Sequence, residues 1–165
     1  LKNNYMPETN FNNPELHQPT PELEQAAPRL NQKFRQDLAN RNQFGMKYKL
    51  ETIKAALWSF IHENAAGYDK KFSKEYHQLN RTLIINQDMA MSLAGGITSK
   101  IDIEKFRVAG KSNSEEGEEE QLQLIAQAIA DYLDYREEEL GNIKPDDRRY
   151  KYIVKDMEII KKLIE

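Results

Sequence analysis

Apolar residues recur every three or four positions along most of this chain, which is the spacing expected when one face of an α-helix is buried. Leu30, Phe34 and Leu38 follow this spacing and predict a helix over residues 29–43, ended by a glycine two positions later. The same spacing predicts a second helix over residues 47–64. Its apolar face comprises Leu50, Ile53, Leu57, Phe60 and Ile61, with Trp58 beside them.

The centre of the chain predicts a third helix and a segment of open structure. Helical spacing covers residues 72–93, with a break near residues 86–88 as the alternative, and the pair Gly95 and Gly96 predicts its end. The apolar positions of residues 97–110 fit either a strand or a short helix. Because a single strand would have no partner, we expect a short helix or an irregular connection there.

A long helix is predicted after an exposed loop over residues 110–113. Ser114 has the side chain of a good N-cap, and the glutamates that follow it lie where the positive end of the helix dipole favours them. We expect Gly117 to weaken this start. The helix then runs to Gly141, and its apolar face comprises Leu122, Ile125, Ile129, Leu133 and Leu140.

The last helix is predicted to begin at Pro145, because the first helical turn tolerates proline, and to continue to the C-terminus. It carries an apolar stripe with a/d-like spacing, formed by Tyr150, Ile153, Met157, Ile160 and Ile164. Packing within a helical bundle is one interpretation of this stripe. Pairing with a second copy or with a partner helix is the other.

The first 28 residues differ from the rest in composition. They contain five of the six prolines, many asparagines and few aliphatic residues. Proline removes a backbone donor and disfavours helix at the residue before it, so residues 1–28 are predicted to be a disordered tail or linker. The fold class that follows is all-α, with a bundle of five or six helices forming a single domain over residues 29–165.

Composition narrows the function without identifying it. Hydrophobic residues make up 39% and charged residues 31% of the chain, and no apolar run approaches the roughly 18 residues that a membrane helix needs. A secretory signal pattern is also missing, so we expect a cytoplasmic protein with no membrane partner. The lack of cysteine excludes disulfides, thiolate metal sites and cysteine nucleophiles. Because the sequence begins with Leu1, we expect a fragment or a processed form.

Charge is distributed unevenly along the chain. Residues 1–28, 29–111, 112–143 and 144–165 carry net charges of −3, +7, −9 and +2. A basic cluster beside aromatic residues comprises Arg29, Lys33, Arg35, Arg41, Lys47 and Lys49. Cations neutralise phosphates and aromatic rings stack on unpaired bases, so the basic 29–111 region is a candidate surface for nucleic acid or an acidic partner. Neutralisation by the chain's own acidic helix is the alternative.

Complete catalytic and metal-binding motifs are missing from the sequence. His62 and Glu63 match the start of a zinc-protease motif, but Ala66 stands where the second histidine would be. Lys111 and its neighbours match only the end of a phosphate-binding loop. These gaps favour a protein that is not an enzyme and needs no cofactor.

Carboxylates three residues apart occur twice on the predicted acidic helix, at positions 116 and 119 and at positions 131 and 134, with Glu138 one turn further. This spacing places acids on one helical face, where they can hold Mg²⁺. It loosely resembles the paired acidic motifs of all-α nucleotide pyrophosphatases, and the resemblance implies a Mg²⁺-dependent nucleotide hydrolase. That family takes its acids from separate facing helices, whereas these lie on one helix.

We therefore expect a non-catalytic helical interaction or assembly module that binds a protein partner or further copies of itself, as part of a larger complex. A nucleic-acid-associated helical protein is the second hypothesis. The carboxylate-based hydrolase is the third.

Overall fold

The computed structural model describes residues 26–41, 48–65 and 87–165, and the described residues form six helices and no strand. The helices are α1 (Gln32–Arg41), α2 (Leu50–Ala65), α3 (described over residues 87–98), α4 (Ile103–Lys111), α5 (Glu115–Gly141) and α6 (Arg148–Lys161). The prediction of an all-α fold is confirmed. The predicted tail lies outside the described residues as far as residue 25.

The core forms around α5, which packs against both α4 and α6, while α2 contacts α1 and α6. The apolar positions found from helical spacing supply much of this core. Side chains that are at most 1% exposed include Phe34, Leu38, Ile53, Leu57, Ile61, Ile125, Ile129 and Ile160. Phe34 also meets the ring of Phe60 edge to face, with the ring centroids 5.7 Å apart, a favourable aromatic geometry.

Backbone hydrogen bonds join the two ends of the helical domain. Leu30 and Ile164 form an isolated antiparallel bridge, and backbone amides donate across it at 2.8 and 2.9 Å. Because residues 29–31 pair with the C-terminal segment, the first helix begins at Gln32 and not at residue 29 as predicted. Leu30 therefore joins the core from outside the helix.

The glycine pair at positions 95 and 96 does not end α3, contrary to the prediction. The helix continues to residue 98. A Cβ atom at Gly96 would lie 2.6 Å from Cε2 of Tyr132 on α5, so this glycine allows close packing between the two helices. Packing, and not helix termination, accounts for a glycine at this position.

The segment over residues 97–110 contains a short helix, one of the two structures expected. Asp102 caps α4, because its carboxylate accepts a hydrogen bond from the Lys105 amide at 3.1 Å. Gly110 and Lys111, which the sequence predicts in a loop, are the last two residues of α4. The loop is therefore shorter than predicted.

A tight turn fixes α4 against α5. Ser114 caps α5 as predicted, and its hydroxyl accepts from the Gly117 amide at 3.1 Å. Gly117 does not interrupt the helix; it is buried where a Cβ atom would lie 2.5 Å from the carbonyl oxygen of Ala109. The turn also places Asn113 at a φ of 52°, in the left-handed region that asparagine adopts more readily than most residues.

Pro145 precedes α6 and does not lie in its first turn, so the predicted start is wrong by three residues. Asp147 caps the helix instead, accepting from the Arg149 amide at 2.9 Å. The Arg149 side chain donates to the same carboxylate, and this hydrogen bond lowers the pKa of Asp147. The Asp147 carboxylate is therefore charged at neutral pH, and its negative charge interacts favourably with the positive N-terminal end of the helix dipole.

Candidate functional site

A largely apolar groove of about 380 Å³ lies between the start of α2 and the C-terminal half of α4. Residues 48–51 form one wall, α4 forms the other, and α5 contributes Gln121. Tyr48 and Phe106 are buried and supply much of the aromatic surface. The volume falls in the range of roughly 300–1,000 Å³ that is typical of ligand-binding clefts.

Three exposed cations line this groove: Lys49 on one wall, and Arg107 and Lys111 on the other. Within the described part of the chain, none of the three forms an ion pair. Arg107 and Lys111 are four residues apart, so they lie on the same face of α4. Glu51 is the single acid in the lining. The groove therefore combines apolar walls with a net positive rim.

Helix geometry explains why α4 can carry this charge. Asp102 and Glu104 lie at its N-terminal end and Lys111 in its last turn, so the acids and the base lie at the ends that the dipole favours. Buried Phe106 and Ala109 anchor the helix in the bundle. This arrangement leaves the cations at the surface while α4 remains anchored.

Gln121 is a buried polar residue in the lining of the groove, only 2% exposed. Its Nε2 donates to the carbonyl oxygen of Phe106 at 3.0 Å and so ties α5 to α4. Its Oε1 accepts no hydrogen bond from any described residue. Since most buried polar atoms are paired, this oxygen is a local exception beside the groove.

The phenol of Tyr48 is neutral at physiological pH. Burial raises its pKa, and the nearby negative charge of Glu118 raises it further, while Arg35 acts in the opposite direction. A neutral hydroxyl can both donate and accept a hydrogen bond. Tyr48 therefore offers the groove an apolar ring and an uncharged hydroxyl.

The six cations predicted as one basic surface are distributed over different parts of the molecule. Arg29 and Arg35 line a separate cleft of about 620 Å³ next to α5, where Arg35 forms an ion pair with Glu119. Lys49 lies at the groove beside α4, and Lys47 lies outside the described residues. Part of the basic segment thus meets the acidic helix of the same chain.

The remaining two predicted cations, both on α1, contact α2. Lys33 lies 5.8 Å above the ring of Phe60, with its Nζ 4.0 Å from Oε2 of Glu63. Arg41 donates a hydrogen bond to the hydroxyl of Ser59. These contacts are intramolecular, and they hold the two cations at the α1–α2 junction.

The bundle itself covers most of the stripe predicted on the last helix. Ile153, Met157 and Ile160 are buried within the chain. Tyr150 and Ile164 are half-buried, and Ile164 lies beyond the end of α6 in the bridge to the N-terminal segment. The described fold therefore provides contacts for the stripe without a second helix from elsewhere.

A charged pair joins α5 to α6 inside the molecule. Arg136 donates to Asp156 at 2.7 Å and to Glu139 at 2.7 Å, with its guanidinium 5.6 Å from the centroid of the Tyr132 ring. Burial raises the pKa of Asp156, and the charge of Arg136 opposes that rise. Sequence spacing gave no indication of this cluster, because Asp156 lies 20 residues from Arg136 and on a different helix.

The acids considered as Mg²⁺ ligands are exposed on α5. Glu119 is paired with Arg35, and Asp131 accepts a hydrogen bond from Gln127 at 2.9 Å. Over residues 26–41, 48–65 and 87–165, no group of three or more potential ligands could hold a metal ion. No helix in these ranges is long and apolar enough to cross a membrane.

Comparisons with known proteins add no family, since no protein-family model, no curated protein and no solved structure matches the chain.

Sequence reasoning missed most of the groove because its walls come from distant parts of the chain. Lys49 was included in the basic cluster, but Arg107, Lys111 and Gln121 were not identified as site residues. Two cations four residues apart on a short helix were the available signal. That signal does not reveal which residues form the opposite wall.

Proposed function

We propose that this chain is a non-catalytic helical module, acting in the cytoplasm as part of a larger complex, and that it binds a segment of a protein partner in the groove beside α4. The supporting observation is the coincidence of an apolar cleft with three cations that have no acidic partner among the described residues. Apolar walls provide affinity by burial, whereas charges around them provide specificity and faster association.

The contrast with α1 supports the choice of this surface. Arg35 and Lys33 have acids of the same chain beside them, which reduces the positive charge that they offer to a partner. Lys49, Arg107 and Lys111 keep their charge next to apolar surface. Of these two basic regions, the groove therefore combines more of the features of a binding site.

A peptide-display selection tests the proposal, with the full chain as bait and the double variant Lys49→Glu, Arg107→Glu for counter-selection. Glutamate at position 49 lies next to the N-terminus of α2, where the dipole favours it, so this change does not weaken the helix. Lys105→Glu is the matched control, because Lys105 is exposed on α4 and is not part of the lining.

We expect selected peptides to bind the native chain and the Lys105→Glu variant, and to lose affinity for the double variant. Circular dichroism and thermal melting of all three proteins establish that each is folded. If no selected peptide depends on Lys49 or Arg107, the groove is not the binding surface. Salt-dependent binding of single-stranded RNA or DNA that disappears in the double variant would instead assign the groove to nucleic acid.

A further inference from the structure

We infer that the segment bound in this groove is extended and alternates acidic with apolar residues. The inference rests on the proposed function and adds the chemistry of the partner. Three observations carry it: the spacing of the two cations on α4, the apolar surface of the opposite wall, and the size of the groove.

The spacing of Arg107 and Lys111 matches alternate residues of an extended chain. Four residues of an α-helix rise about 6.0 Å along its axis. In an extended segment, residues i and i+2 point to the same side and lie roughly 6.6 Å apart. Two carboxylates separated by one residue can therefore face Arg107 and Lys111 together, forming charge-assisted hydrogen bonds.

The opposite wall determines which side of the segment is apolar. Tyr48 and Leu50 present apolar surface there, and the opposite charges of Lys49 and Glu51 leave this wall without a net charge. The residue between the two carboxylates points toward this wall, because side chains alternate along an extended segment. Its burial against Tyr48 and Leu50 removes apolar area from water, which favours binding.

A few residues of extended chain fit the groove, which holds about 380 Å³.

The test uses the full chain and fluorescein-labelled synthetic peptides, with binding measured by fluorescence anisotropy. The probe is a short peptide in which aspartate and leucine alternate. One control peptide has the same composition with all aspartates before all leucines, a second has lysine in place of aspartate, and a third is helical with acids four residues apart. The protein variants are Arg107→Glu, Lys111→Gln and the control Lys105→Glu.

We expect the alternating peptide to bind best, and its affinity to fall about tenfold or more with Arg107→Glu, which corresponds to about 1.4 kcal/mol. Lys111→Gln should weaken it less, because it removes a charge without reversing it, and Lys105→Glu should leave it unchanged. Rising salt should weaken binding, because exposed charges are screened.

Other outcomes overturn the inference in distinguishable ways. If Lys105→Glu and Arg107→Glu weaken binding of the alternating peptide equally, the peptide is attracted only by the overall charge of the protein. Tighter binding of the helical peptide would replace the extended occupant by a helix. Concentration-dependent dimerisation abolished by Arg107→Glu would identify the occupant as a second copy. If display selection yields groove ligands without acids, the alternating pattern is wrong while the proposed function stands; if it yields no groove ligand, the function itself fails.

Discussion

The ion pair between Arg136 and Asp156 allows a quantitative test of how α5 packs on α6. The carboxylate side chain is 5% exposed and the guanidinium side chain 19% exposed. Burial raises the pKa of Asp156, and the neighbouring guanidinium opposes this rise. Burial lowers the pKa of Arg136, but its hydrogen bond to Glu139 and the surrounding negative charge outweigh burial, so the net shift is upward and the guanidinium stays charged.

Replacing Arg136 with methionine leaves Asp156 without its cation. Removing one partner of a buried ion pair costs about 3–5 kcal/mol. This pair is partly accessible and Asp156 can take up a proton, so we expect a smaller loss of about 2 kcal/mol in the free energy of unfolding at neutral pH. For a chain of this size that loss lowers Tm by roughly 6 °C. The double variant Arg136→Met, Asp156→Met should lose less than the single variant, because replacing both partners with apolar groups is often neutral.

The loss should also depend on pH. Because the folded-state pKa of Asp156 is raised above its unfolded value of about 3.9, the folded state holds this proton more tightly. The resulting stability is fully present below the unfolded pKa and disappears as the pH rises through the folded pKa. Arg136→Met raises that folded pKa further, so the destabilisation should be small near pH 4 and larger near pH 7.

The assay is urea-induced unfolding followed by circular dichroism at both pH values, for the native chain, both single variants and the double variant. Asp131→Ala is the matched control, because Asp131 is exposed on the same helix, and we expect it to change stability by less than about 0.5 kcal/mol. If the losses of the two single variants sum to the loss of the double variant within about 0.5 kcal/mol, the two residues are not coupled. A loss that does not depend on pH would refute the coupling as well.

Three further predictions concern packing, and urea unfolding measures each of them. Gly95→Ala should stabilise the chain by about 0.5–1 kcal/mol, since nothing lies within 4 Å of the added methyl group. Gly117→Ala should destabilise it by about 1–3 kcal/mol, because the methyl group would contact α4. Equal effects of the two substitutions would show that helix propensity alone determines the change in stability. Gln121→Met removes one hydrogen bond but also Oε1, which has no hydrogen-bond partner among the described residues, so the free energy of unfolding should change by less than about 1 kcal/mol. A loss above about 2 kcal/mol would contradict this reasoning. Ile160→Asp places a carboxylate at a fully buried position and should lower the free energy of unfolding by about 4 kcal/mol or more. An unfolding curve like that of the native chain would mean that the packing of α6 is misassigned.

The period of the apolar residues was sufficient to predict the buried faces of the long helices. Phe34, Leu57, Ile129 and Ile160 are buried as expected, because a helix that packs on a core repeats its apolar positions every three to four residues. Ser114 was likewise identified from local chemistry, since a hydroxyl before a run of glutamates is a good N-cap. Local rules succeeded where the determining interactions are local.

The glycines show where local rules fail. Gly96 is predicted to end a helix and Gly117 to weaken the start of one, yet both lie inside helices at places where another part of the fold comes too close for a side chain. The neighbouring atoms belong to Tyr132 in the case of Gly96, and to Ser112 and Ala109 in the case of Gly117. No rule based on neighbouring residues contains this information, because it depends on tertiary contacts.

The groove could not be predicted from the sequence for a related reason. Its cations can be read from the sequence, but the pairing of Arg35 with Glu119 depends on how the helices are arranged. The lack of an acidic partner for Arg107 among the described residues depends on the same arrangement. The net charges of the four sequence segments predict only that the chain has basic and acidic regions. Which cations remain available to another molecule is decided by the fold.

The bridge between Leu30 and Ile164 also determines how the domain responds to mechanical load. In this antiparallel arrangement Arg29 and Glu165 lie side by side at one end of the bridge. Tension applied between these two points opens the backbone hydrogen bonds one after another, from Arg29–Glu165 inward, so the contact resists force much less than strands pulled along their length. The same proximity means that a short linker between the two points would close the polypeptide into a circle without disturbing the helices, and new ends could then be opened in the exposed turn at Asn113.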